Sequence, residues 1–308
     1  MTQLGQGDPS RRPSDKPDAA GLSQARFFEQ LSDGRVRCRL CPHYCILSEG
    51  QSGRCRVRVN LKGKLELPYY GALSALAVDP IEKKPLYHFL PGSRTFSVGY
   101  LGCNLHCPFC QNYHISSSLD APVQLLSPAQ LVEAALHSGC PSLAHTYSEP
   151  LVHAEYVIET MRLARQAELK NVLVSNGCAN DEAASAVLEY CDAANIDLKS
   201  WQEQWYTDEL GGDLPAVRHF IELAVQLGVH LELTTLVIPG KTDNPADIAA
   251  AAAWLSGLSK KLVLHLSAYR PMYKYRIPAT GRSVLLELVQ VAQQYLPAVY
   301  PGNLPLGD

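Results

Sequence analysis

The chain of 308 residues contains no apolar run approaching the ~20 residues that a membrane-crossing helix needs, so no such segment is expected. It also has no strong excess of charge. Its 27 Lys and Arg against 30 Asp and Glu leave a net charge of −3, which argues against nucleic acid or an anionic membrane surface as partner. Arg11-Arg12 is not followed by an apolar stretch, so a twin-arginine export signal is not expected. The stretch from Met1 to Gly21 has little to bury and is rich in Pro, Gly, Ser and Asp; a disordered tail over residues 1–25 is the expectation. A cytoplasmic location follows as the expectation, and there thiols stay reduced.

Cysteine, by contrast, is plentiful. There are ten, and clustered cysteines in a reducing compartment point to metal more than to disulfides. Seven lie between Cys38 and Cys110. Cys140, Cys178 and Cys191 are scattered, and isolated cysteines are usually small buried hydrophobes. Two parts follow the tail: a cysteine-rich N-terminal module over 26–94, then a core domain over 95–308 in which apolar runs alternate with amphipathic helices.

Strands are expected at 96–100, 142–146, 171–175, 193–198, 229–237 and 262–268, with a short last one at 298–300. Helices are expected between them, one capped by Ser127 with Pro128 at its first position and one capped by Asn244. This is β-α repeated about six times, an α/β fold with a parallel sheet and right-handed crossovers. Six units are too few for a closed eight-fold barrel; a partial (β/α)6 TIM-like barrel or an open sheet fits, with the small cysteine-rich module in front. In either, functional groups sit at the C-terminal ends of the strands. Those tips carry Cys103, Tyr147-Ser148-Glu149-Pro150, Asn176-Gly177, Asp197 and Lys199, Pro239-Gly240 and Tyr269-Arg270.

After the first of these strands come Cys103, Cys107 and Cys110, spaced C-x3-C-x2-C, with no fourth cysteine nearby. A cubane iron–sulfur cluster has four irons, each needing a ligand, so three thiolates leave one iron open to a substrate or cofactor. The alternatives are zinc, with His106 or His114 as fourth ligand, or a chance grouping.

This spacing after the first strand of a β/α repeat resembles the radical S-adenosylmethionine (SAM) superfamily. The resemblance implies a 4Fe-4S cluster on Cys103, Cys107 and Cys110 that chelates SAM. It further implies reductive cleavage of SAM to a 5′-deoxyadenosyl radical that abstracts a hydrogen atom. Phe109 matches an aromatic able to pack on adenine. Glu149 stands where relatives meet the SAM amino group, although the glycines of that motif are missing; a helix-start carboxylate is the competing role. Asn176 is placed to reach SAM or to serve as a turn residue. Asp197 and Lys199 match an Asp-x-Lys element near SAM, or form a strand-end ion pair. Val237-Ile-Pro-Gly240 resembles the segment beneath adenine, and a strand ending in a turn explains it equally.

Cys41-Pro-His43, Asp79-Pro-Ile-Glu-Lys-Lys-Pro-Leu-Tyr-His88, Gly102-Cys-Asn-Leu and Cys110-Gln-Asn resemble the AmmeMemoRadiSam radical SAM proteins, relatives of pyruvate formate-lyase activating enzyme. That implies reduced flavodoxin or ferredoxin as electron donor and a protein, peptide or small-molecule substrate. A metal-stabilised scaffold or electron carrier that never cleaves SAM is the alternative. Cys38, Cys41, Cys45 and Cys55 form a second set, for which structural zinc is favoured over an auxiliary cluster or over four cysteines that do not converge. For Lys83-Lys84 a solvated loop is favoured over contact with a carboxylate or an acidic donor protein. Arg35, Arg37, Arg39, Arg54, Arg56 and Arg58 are read as the wet face of a strand.

Overall fold

The structure, a computed structural model, describes residues 23–304. The expected tail lies outside it up to residue 22. Ser23 and Gln24, its last part, are ordered instead: they pair antiparallel with Leu67 and Glu66.

Eight strands build the main sheet: β1 Ala75–Pro80, β2 Arg94–Gly99, β3 Ser142–Thr146, β4 Lys170–Ser175, β5 Ala193–Asp197, β6 His230–Val237, β7 Val263–Ala268 and β8 Ala298–Gly302. They lie side by side in chain order, β2 to β8 parallel and β1 antiparallel to β2. Each parallel connection carries a helix: α1 Pro128–His137, α2 Ala154–Gln166, α3 Asp181–Leu188, α4 Leu214–Gln226, α5 Pro245–Leu258 and α6 Arg282–Gln293. The protein is a partial (β/α)6 barrel, open between β1 and β8. Ser127 caps α1 through Gln130 in a reciprocal capping box, and Asn244 caps α5 through the Ala246 amide, as their types favour.

Alternation along the buried strands sorts residues between two faces. Leu143, Leu173, Ile196, Leu233 and Leu264 join the large core beneath the helices. Ala144, Val172 and Ala193 face the other way and pack on Ile81 and Leu86. These two come from the segment after β1, which plugs one end of the barrel. Each is fully buried and contributes about 2 kcal/mol of apolar burial. Polar groups hold the plug in register. Asn195 Nδ2 donates to Pro85 O, and the Tyr87 and His88 amides donate to the two oxygens of fully buried Glu232 at 2.9 and 2.8 Å. His230 and His265 bond the same carboxylate at 3.0 and 2.7 Å.

Part of the 26–94 segment, strand β1, thus lies in the main sheet. The rest forms short antiparallel pairings, among them Val36–Cys38 with Ile46–Leu47 and Val59–Leu61 with Lys64–Leu67. A buried bidentate ion pair ties this part to α2. Arg58 Nη1 and Nη2 donate to Glu155 at 2.8 and 2.7 Å, and the Arg26 amide adds a third bond. Arg58 is 1% exposed, so the wet face expected for all six arginines excludes it. The turn at 53–58, with Arg56 at a φ of 68°, breaks the strand period and turns Arg58 inward.

Candidate functional site

The cysteine loop leaves the C-terminal end of β2 and is held on every side by backbone bonds. Gly102 N donates to Ile115 O and His106 N to Leu210 O, and Lys274 N and Tyr275 N both donate to Pro108 O. His43 from the N-terminal part bonds Asn104 O at 2.8 Å. Gly102 has a φ of 79°, and a Cβ there would stand 2.5 Å from Cys55 O. The backbone of the loop therefore lies directly on the second cysteine set. Gly211 and Gly212 admit the loop from the other side: a side chain at Gly211 would meet His106 and Arg54, and one at Gly212 would meet Leu105.

Cys103, Cys107 and Cys110 are free and half-buried, and they converge at this mouth. Burial pushes the Cys103 thiol well up, with Glu149, Cys107 and Cys110 adding to the shift. Burial likewise raises Cys107 to about 11, opposed by the nearby Lys199 ammonium. Hydrogen-bond partners already meet the sulfurs. The Leu105 amide donates to Cys103 Sγ at 3.4 Å, Asn176 Nδ2 approaches the same sulfur at 3.7 Å, and Ser116 Oγ lies 3.2 Å from Cys110 Sγ. Among the described residues, no three His, Cys, Asp or Glu side chains stand close enough together to share one metal ion. The donor set fits a multi-iron cubane: hydrogen-bond donors meet Cys103 and Cys110, the Lys199 ammonium stands near Cys107, and the three can be held as thiolates.

The next three strand tips bring the other expected residues to this loop. Glu149 follows β3 and is buried. Its Oε1 accepts from Ser175 Oγ at 2.6 Å and from Leu151 N at 3.0 Å, and its Oε2 from Asn176 N at 2.8 Å. Burial raises its carboxyl to about 7 against those bonds. It caps the short 3-10 turn Pro150–His153, so the helix-start role is filled. Beside it, buried Ser148 Oγ has no partner among the described residues. Asn176 Nδ2 donates to Asn104 Oδ1 at 2.9 Å, while Asn104 Nδ2 donates to Cys178 O at 2.7 Å. Asp197 and Lys199 pair at 2.8 Å beside Cys107. Burial opposes the Lys199 charge, but Asp197 and Cys107 outweigh it and hold the ammonium above its usual range.

Phe109 is buried against Trp205, with rings parallel at 6.0 Å, and against Tyr275 at 5.7 Å. The Val237–Gly240 turn is closed by Thr242 Oγ1, which donates to Leu236 O and accepts from Ile238 N. His106 faces solvent and bonds Arg54 Nη2; His114 is exposed. Cys140, Cys178 and Cys191 are buried, as expected of isolated cysteines.

Sequence reasoning missed one cluster. Lys84, for which the sequence favours solvation, takes the other reading and meets a carboxylate: it is 3% exposed, and its Nζ lies 2.8 Å from Asp79 Oδ2, while neighbouring Lys83 is the solvated one. The Tyr147 hydroxyl donates to the same Asp79 oxygen, and its ring lies under Lys84 Nζ at 4.3 Å from the centroid. Tyr147 has a φ of 70°, which turns its side chain back over Gly99 into the barrel, while its carbonyl accepts from Asn112 Nδ2 of the cysteine loop. The available signal was the Asp79-to-Lys84 run itself, two opposite charges bracketing an apolar Ile81. Zinc gains no support at Cys38, Cys41, Cys45 and Cys55: they too lack a single-ion arrangement.

The fold and this loop define a class, and comparison with known proteins agrees. Residues 97–252, just over half of the chain, match the family described as the radical SAM superfamily, and the chain belongs to it. It is 36% identical over 289 residues to MJ0808, an uncharacterized protein of Methanocaldococcus jannaschii, across 92% of this chain and 86% of that one. It is 19% identical over 206 residues to the pyruvate formate-lyase 1-activating enzyme of Escherichia coli, across 65% of this chain and 83% of that one. A radical SAM methyltransferase structure from Sphaerobacter thermophilus shares the fold with a TM-score of 0.54 and 15% identity, over 91% of this chain and 77% of that one. The protein is thus a radical SAM enzyme with an iron–sulfur and SAM chemistry. Among the described residues, no helix is long and apolar enough to cross a membrane.

Proposed function

We propose that the protein is a glycyl-radical-activase-like radical SAM enzyme of the AmmeMemoRadiSam group, acting in the cytoplasm on a protein, peptide or small molecule. One observation carries the reading: the three free cysteines at the tip of β2 meet the tips of β3, β4 and β5 in one mouth. Cys103, Cys107 and Cys110 would hold a 4Fe-4S cluster. With SAM bound, the cluster would supply a one-electron cleavage to methionine and a 5′-deoxyadenosyl radical for hydrogen abstraction.

The rest is work for the chain's own side chains. Asn176 and the Leu105 amide stabilise thiolate at Cys103. Glu149, fixed by Ser175, Asn176 and Leu151, offers a carboxylate to a cationic amino group, and unpartnered Ser148 Oγ lies beside it. Lys199 and Asp197 present opposite charges next to Cys107, suited to a zwitterionic amino acid. Phe109, locked by Trp205, keeps water from the loop. Tyr147, Lys84 and Asp79 line the barrel interior below the loop, where a substrate would lie. Reduced flavodoxin or ferredoxin is the proposed electron donor.

The test is direct. Protein reconstituted anaerobically and reduced with dithionite is expected to release 5′-deoxyadenosine, and Cys107→Ala to release none. Equal release by the variant overturns the reading. Deuterium-labelled candidate substrates then identify the hydrogen donor by label appearing in the nucleoside.

A further inference from the structure

The four-cysteine set takes no part in the chemistry above, yet its sulfurs converge. The pairing of Val36 with Leu47 and Arg37 with Ile46, continued one step, sets Cys38 opposite Cys45, and Cys38 N donates to Cys45 O at 2.9 Å. Directly opposed residues of an antiparallel pair project on the same face. A Cβ at Gly53 would stand 3.8 Å from both Cys45 Sγ and Cys55 Sγ, so those sulfurs lie within twice that distance of each other. The Arg54 amide donates to Cys45 Sγ at 3.5 Å. Cys41 sits in the turn between Cys38 and Cys45, closed by a bond from Tyr44 N to its carbonyl. All four are free, and all but half-buried Cys45 are buried.

A second, independent observation lies beside this cluster. Arg58 is buried, and Glu155 and Val152 O take up its two terminal nitrogens, but its Nε has no partner among the described residues. Cys38 and Cys55 both lie within its field. A buried N–H without an acceptor costs about 1–3 kcal/mol, which an anionic sulfur ligand at this place would offset. A single zinc ion gains no support here. Zn–S bonds of about 2.3 Å put tetrahedral sulfurs about 3.8 Å apart, and no three of these side chains stand at single-ion distances. The same holds for Cys103, Cys107 and Cys110, the set that fits a cubane.

We propose that Cys38, Cys41, Cys45 and Cys55 hold a second 4Fe-4S cluster with every iron ligated, and that Arg58 Nε donates a hydrogen bond to it. Such a cluster has no vacant iron for SAM and serves to take up and pass on single electrons. Gly102 against the Cys55 carbonyl makes it a direct neighbour of the cysteine loop.

Iron, sulfide and zinc analysis of the anaerobically reconstituted full chain tests this. About eight irons and eight sulfides per chain are expected. Cys103→Ala/Cys107→Ala/Cys110→Ala is expected to keep about four of each and to show a reduced-cubane EPR signal with dithionite. Cys38→Ser/Cys45→Ser is expected to fall to about four while still releasing 5′-deoxyadenosine. A parent chain with about four irons, with or without one zinc, overturns the proposal and leaves the reading of the first set standing. Eight irons without 5′-deoxyadenosine release would overturn only that reading. Arg58→Lys keeps the charge but removes the Nε donor. It is expected to lower the reduction potential of the signal seen in the triple variant, and an unchanged potential removes Arg58 from the assignment.

Discussion

Lys84 and Asp79 form an ion pair inside the barrel, Nζ to Oδ2 at 2.8 Å, with only 3% of the lysine side chain exposed. Burial opposes both charges. For Asp79, the bonds from Lys84 and Tyr147 outweigh it and hold the carboxyl far below its usual range. A neutral residue in place of Asp79 would leave the Lys84 ammonium stranded away from water.

Asp79→Asn is therefore expected to destabilise the fold by about 3–5 kcal/mol, as losing one partner of a buried pair does. Asp79→Asn/Lys84→Met is expected to recover most of that loss. Urea unfolding of the two variants checks it; a single-variant cost below about 1 kcal/mol would show that the pair is not buried as described.

Gly102→Ala adds a methyl group 2.5 Å from Cys55 O at a φ of 79°, and Gly240→Ala adds one in open space at a φ of 71°. The second change costs only the left-handed backbone, about 1–2 kcal/mol. The first is expected to cost clearly more and to lower iron retention at the cysteine loop. Thermal melts and iron content of both proteins are the measurement, and equal costs would contradict the contact.

Glu232 accepts four hydrogen bonds, from His230, His265 and the Tyr87 and His88 amides. Burial works against its charge, but these bonds hold the carboxyl near 2, below its ordinary 4.5. Because the folded value is depressed, the stabilisation is complete above about pH 4.5 and is lost as pH falls towards 2. It amounts to about 3 kcal/mol. Glu232→Gln is expected to be less stable than the parent at pH 7 and to lose less on acidification from pH 4.5 to 2. Parallel loss in both proteins, followed by tryptophan fluorescence, would rule this out.

With Glu149 at about 7, its carboxylate form grows from pH 6 to 8. If it faces the SAM amino group, SAM affinity rises about tenfold over that range in the parent and stays flat in Glu149→Gln. Equilibrium binding of SAM decides it, and a flat parent profile places Glu149 in a capping role alone.

Much of this was legible in the chain. Period, caps and β-branched runs locate the six β/α units, because local chemistry dictates them. The cysteine loop is legible because its spacing is itself chemistry. Side-chain direction in irregular segments is what stays hidden. Lys83 and Lys84 are indistinguishable in sequence and both reach Asp79, yet one does so from solvent and the other from inside the barrel. Arg54 and Arg58 share a parity that the turn at Arg56 destroys. Tyr147 points into the barrel only because its backbone is left-handed, and its neighbours in sequence do not announce that.

The strap from Ile81 to His88 leaves the barrel with a floor. Threaded across strands β3 to β8 and knotted to Glu232, it blocks the end remote from the cysteines. Reactant and product then come and go on the cysteine side or through the gap between β1 and β8, and no passage runs out through the bottom.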